Sequence, residues 1–182
     1  MKYTIKIMTN TRDKLNEAKY FLEEMRRVSS DPDKFRYELT AFLAASRSIT
    51  LIMQKEFPGK TGFTDWYAQK QREMENNHTL KYLLRQRNIS HHERPVLSYP
   101  ITVAGQSTNS AGMSIILTGT GSNLDLTSSF VILPVIQPAT SVRYYFDDIP
   151  TEEKDVITMC QEAVNALEII VIECENKFFG NT

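Results

Sequence analysis

One stretch of this sequence has residue types and spacing that suggest a reaction: Arg87-Asn88-Ile89-Ser90-His91-His92. An imidazole takes or gives a proton near neutral pH. An arginine forks onto two phosphate oxygens and stabilises charge that grows in a phosphoryl transition state. On RNA, the base removes the 2′-OH proton and that oxygen attacks the adjacent phosphate, with no metal needed. Asn88 and His92 are four apart, so on a helix Asn88 is placed to hold His92. His91 is a second imidazole, and it shares a helical face with Arg87, whereas His92 does not if the helix continues. Which histidine matters is left open by spacing. A plainer reading stays beside the chemical one: basic residues at a helix C-terminus cap carbonyls and complement the dipole.

Other chemistries are weaker. The only histidines are His78, His91 and His92. Neighbours on a helix point about 100° apart, so His91 and His92 are poorly placed to share one ion. Gly59-Lys60-Thr61 ends like a phosphate loop, but Gln54 stands where the first glycine belongs. Gly119-Thr120-Gly121 reads as a turn between strands. Cys160 and Cys174 fall on one expected helix, about 21 Å apart by helical rise, beyond disulfide reach. They read as small apolar core residues in a reducing compartment.

These residues need elements to position them. Leu15, Ala18, Leu22 and Met25 give a first helix over residues 11–28. Asp31-Pro32 opens a second, over about 32–56, with Phe35, Leu39, Phe42, Ile49 and Met53 on its apolar face. A third runs from about 63 to 75 and carries Phe63, Trp66 and Tyr67. A fourth begins near Thr79, with Leu80, Leu84, Arg87 and His91 on one stripe. It ends at or just after the histidines, because Pro95 disfavours helix at Arg94. The last helix reaches about residue 178. Its stripe runs Val156, Cys160, Ala163, Leu167, Ile170, Cys174, Phe178, and Ile149-Pro150-Thr151-Glu152-Glu153 supplies the expected cap.

Before that helix the composition changes. The chain has 21 basic and 22 acidic side chains, yet only Asp125 and Arg143 fall between Val96 and Phe146. Alternation at Leu97, Tyr99, Ile101 and Val103 is strand-like, and Pro100 argues for an edge. Met113–Thr118, Leu124–Ile132 and Val142–Phe146 are further strand candidates. A small antiparallel sheet or meander is expected over about 96–147.

The chain has 182 residues, 41% hydrophobic and 24% charged, with net charge −1. One domain, 1–182, is expected, and any RNA contact has to be local. Met1 to Asn10 has no apolar signal core, an apolar run such as Ile169 to Ile172 is far short of a membrane span, and neither end carries a lipidation motif. A cytoplasmic protein is expected. The apolar face around Leu167–Ile172 is broader than one packing contact uses, so self-association is expected as well.

Arg87-Asn88-x-x-x-His92 resembles the R-N-x-x-x-H motif of HEPN domains. Ala41-Phe42-Leu43-Ala44-Ala45-Ser46-Arg47-Ser48, Asp65-Trp66-Tyr67 and the closing amphipathic helix are similar to segments of uncharacterised bacterial members. The resemblance covers roughly residues 10–94 and 150–178. It implies a mainly α fold, an antiparallel bundle of four to five helices, here with the small antiparallel β insertion before the last helix. It implies a homodimer with two motif copies across a shared cleft. It implies a metal-independent endoribonuclease without cofactor, of toxin or defence type, leaving 2′,3′-cyclic phosphate ends. Arg87 and His92 would be catalytic, Asn88 supporting, His91 an added candidate and Glu38 an auxiliary acid. RNA is the implied ligand, a protein partner or antitoxin a further one, and neither DNA nor membrane is expected. Many members only bind RNA, nucleotides or protein, so a non-catalytic binding module is the alternative. The charge-poor β segment suits a protein interface. A third reading is an unrelated helical protein in which the cluster is structural.

Overall fold

The computed structural model describes residues 8–106, 138–149 and 154–179. Among these are five helices and two strands: α1 (Asn10–Arg27), α2 (Pro32–Glu56), α3 (Phe63–Asn76), α4 (His78–His92), β1 (Ser98–Gln106), β2 (Pro138–Phe146) and α5 (Val156–Phe178). The fold is mainly helical, with a two-stranded antiparallel sheet before the last helix. The chain divides into two compact units. One comprises Met1–Ile101 with Arg143–Thr182, and the other Thr102–Val142.

In the first unit four of the five helices start where a short polar side chain satisfies a free backbone N–H. Thr9 accepts from Arg12, Asp31 from Lys34, Asn77 from Leu80 and Asp155 from Thr158. Asn77 both ends α3 and caps α4. Before α3 the chain turns through Gly62, whose φ of +78° suits only glycine without strain.

α1 and α2 are antiparallel, and the carboxylate of Glu56 at the end of α2 closes the start of α1. It accepts from the backbone of Asn10 and Thr11 and from the Thr11 hydroxyl. α5 is likewise antiparallel to α1, since Arg12 pairs with Glu175 and Glu168, and Lys19 with Glu168. Leu15, Leu22, Phe35, Leu39, Phe42, Ile49, Val156, Cys160 and Val171 are buried in the core between them. Removing such side chains from water is the main source of stability. Near the end of α5 Phe57, Phe63, Trp66 and Phe178 form an aromatic cluster with ring centroids 5.3–6.5 Å apart.

The base of the strand pair is anchored on the helices of the same unit. Tyr144 stacks on Phe35 at 3.6 Å, and its hydroxyl donates to the Ser29 carbonyl at 3.0 Å. Phe146 meets Tyr82 edge-on, and Val96 is fully buried. Pro100 lies in β1, which pairs with β2 alone among the described residues.

Two expectations need correction. The buried face of α4 carries Leu83 and Gln86, while Leu84 is 40% exposed. Gln86 replaces the expected apolar residue because Nε2 finds acceptors in the Tyr82 hydroxyl and the Asp148 carboxylate. The cap of α5 is Asp155, not Thr151, and residues 150–153 lie outside the described residues, as do the strand candidates at 113–118 and 124–132. No helix among the described residues is long and apolar enough to cross a membrane.

Candidate functional site

α4 stays helical through His92, and Pro95 lies just beyond its cap, Glu93. Its last turn therefore projects next to the first half of α2. An open groove of about 500 Å³ lies between them. Arg36, Tyr37 and Thr40 of α2 form one wall, and Ser90, His91, His92, Glu93, Arg94 and Pro95 form the other.

Both imidazoles are exposed, with ring centroids 5.5 Å apart and planes at 81°. The roughly 100° step between adjacent helical residues splays them apart in this way. The guanidinium of Arg36 sits 4.7 Å from the centroid of the Tyr37 ring and touches Asp33 at 3.3 Å. That of Arg94 is 3.8 Å from Asp147. Each meets one carboxylate near the surface, and a guanidinium has five N–H donors, so both keep donors for a phosphate. Among the described residues Glu93 is the one carboxylate in the lining.

The other residues picked out by the motif are placed differently. Arg87 does not line the groove. It is half-buried, and Nη1 donates to Asn88 Oδ1 at 3.2 Å. Its Nε is buried without a hydrogen-bond partner among the described residues. Asn88 is thus bonded to Arg87 rather than to His92, contrary to the expectation from their four-residue spacing. With the helix continuing, Arg87 and His92 point about 140° apart. Glu38 is half-buried on α2 and does not line this groove. No group of three metal-ligating side chains occurs among the described residues.

Sequence reasoning missed Arg36, Tyr37, Thr40 and Arg94. The first three lie about fifty positions before the histidines and carry no motif. Their one signal is that they fall off the Phe35-Leu39-Phe42 stripe, on the polar side of α2.

Residues 7–93 match the family model described as bacteriophage lambda protein ea47. The matched segment spans α1 to α4 and both histidines, so it contains both walls of the groove apart from Arg94 and Pro95. None of the curated proteins and none of the solved structures matches the chain.

Proposed function

We propose that the groove binds single-stranded RNA and that the chain is a metal-independent endoribonuclease of the HEPN type. The supporting observation is the company His91 and His92 keep: two exposed imidazoles beside two guanidiniums in one open groove. One imidazole takes the 2′-OH proton, and O2′ attacks phosphorus. The bond to the 5′-oxygen breaks, and that oxygen takes a proton from the other imidazole. The products are a 2′,3′-cyclic phosphate and a 5′-hydroxyl. Arg36 and Arg94 hold the phosphate, and the exposed Tyr37 ring offers a base a face to stack on. Arg87 and Asn88 are positioning residues at the helix end, and Glu38 keeps its place as an auxiliary acid only if the RNA reaches it.

A second reading, a non-catalytic RNA-binding module, is favoured by Arg87 and Asn88, which are bonded to each other outside the groove. Incubation of single-stranded RNA with the protein in EDTA separates the two. Cyclic ends support cleavage, and retained but intact RNA supports binding alone. In either case Arg36→Gln with Arg94→Gln is expected to weaken binding. The slope of log affinity against log salt should flatten by about 0.7 for each phosphate that is no longer neutralised. An unchanged slope removes RNA from this groove.

We place the protein in the cytoplasm. Its two cysteines are free and buried, and burial pushes the Cys174 thiol up to about 12, as suits inert core thiols. A toxin or defence role, with an antitoxin as protein partner, belongs to the same proposal.

We also propose a homodimer, with Ile169 and Ile172 of α5 at its centre. They remain 58% and 42% exposed, whereas Ile170 and Val171 are used up in the core. Sedimentation should show a dimer at micromolar concentration and a monomer for Ile169→Glu with Ile172→Glu. A wild-type monomer overturns this.

A further inference from the structure

A second cavity, of about 490 Å³, opens among α2, α3, α4 and α5 and shares no lining residue with the RNA groove. Its size falls within the range of small-molecule sites, which are mostly apolar with a few convergent polar groups. Leu80, Leu84, Ala163 and Leu167 give the apolar part. They include the α4 residues that the turn of the helix takes off its buried face. The polar part comes from α2 and α3. Arg47 Nη1 donates to Thr50 Oγ1 at 3.0 Å, and Gln54 Nε2 donates to the Tyr67 hydroxyl at 3.0 Å.

The surroundings of Arg47 point to an acceptor as the missing group. Arg47 is half-buried, and its hydrogen bond goes to a neutral hydroxyl. Among the described residues it has no ion pair. Arg47 therefore keeps N–H donors for an acceptor in the cavity. Glu75 and Lys81 also line the cavity and balance each other, leaving the charge of Arg47 in excess. A carboxylate matches the planar fork of a guanidinium and neutralises its single charge.

We infer that this cavity is a binding site for an amphipathic monocarboxylate, with its apolar body on Leu80, Leu84 and Leu167 and its carboxylate on Arg47. The ligand would be read by charge at one end and by surface burial at the other, independently of RNA.

Decanoate and decanol, which share a chain and differ in the head, test this by calorimetry on the full chain. Decanoate should bind saturably and about tenfold tighter than decanol, since a charge-assisted hydrogen bond separates them. Arg47→Gln should bring decanoate down to the level of decanol. Leu84→Trp, at a partly exposed wall position, should fill the space and abolish both ligands while the circular dichroism stays helical. No saturable binding of decanoate overturns the site. Equal affinity for the two probes, or indifference to Arg47→Gln, overturns the assignment of a carboxylate ligand. Decanoate that acts only by dissociating a second copy of the chain overturns the small-molecule reading.

Discussion

His92→Ala should lower the rate of RNA cleavage by about a hundredfold or more, and His91→Ala by a similar factor, because a positioned general acid or base contributes roughly 10²–10⁴. Both imidazoles are exposed in the groove, so neither substitution removes core packing, and melting temperatures should stay near wild type. The mechanism needs one group to take a proton and another to return it, and with two histidines present, loss of either stops the cycle. Gel assays under single-turnover conditions would measure this. Cleavage as fast as wild type by both variants removes the two histidines from the chemistry and sinks the proposed mechanism.

Arg87→Ala is the informative companion. The HEPN resemblance gives Arg87 the phosphate, but its side chain is half-buried, bonded to Asn88 and absent from the groove. Its removal should cost less than about tenfold, well short of a catalytic electrophile. A drop as large as that of His92→Ala would mean that Arg87 reaches the phosphate after all. That would place the working site between two copies of the chain.

The helical frame was legible because local rules dominate there. Asp31-Pro32 opened α2 at the expected residue, and the Phe35-Leu39-Phe42 spacing selected its buried face. Alternation around Tyr99 and Tyr144 correctly marked the two strands that are described. Of the two failures, one depended on a distant partner and the other was a local shift of the cap. α4 turned Gln86 inward only because Asp148, more than sixty residues on, supplies acceptors. α5 took Asp155 as its cap, so an acidic residue four positions after Thr151 did the work expected of the hydroxyl.

The candidate site divides along the same line. His91 and His92 were visible because they are adjacent and histidine is the commonest general acid or base. Arg36 and Tyr37 were not, since only the packing of α2 beside α4 brings them to the histidines. The motif also implied that Arg87 and His92 act together, and helical geometry decides against that within one chain. A five-residue step cannot put two side chains on one face of an unbroken helix. In this chain the arginines that line the groove are Arg36 and Arg94, which belong to no motif.

Phe35→Ala should destabilise the protein by about 3–5 kcal/mol, the usual cost of truncating a fully buried phenylalanine. Phe35 is inaccessible to solvent and stacks on Tyr144 with an interplanar angle of 9°. It holds the first turn of α2 on one side and the base of the strand pair on the other. Urea denaturation would show a lower midpoint at similar slope. Tyr144→Phe should cost less, about 0.5–1.5 kcal/mol, because it keeps the ring and deletes only the hydrogen bond to Ser29. A double-mutant cycle between Phe35→Ala and Tyr144→Ala should return a coupling of about 0.5–1.5 kcal/mol for the stacked pair. Arg36 and Tyr37 follow Phe35 directly, so the ring also fixes the helical phase that points them into the groove. Phe35→Leu, which keeps most of the volume, should therefore preserve RNA affinity better than Phe35→Ala at a temperature where both are folded. A destabilisation under about 1 kcal/mol for Phe35→Ala, well below the usual range, would mean that the strand base is not anchored on α2. The rigid wall on which the groove depends would go with it.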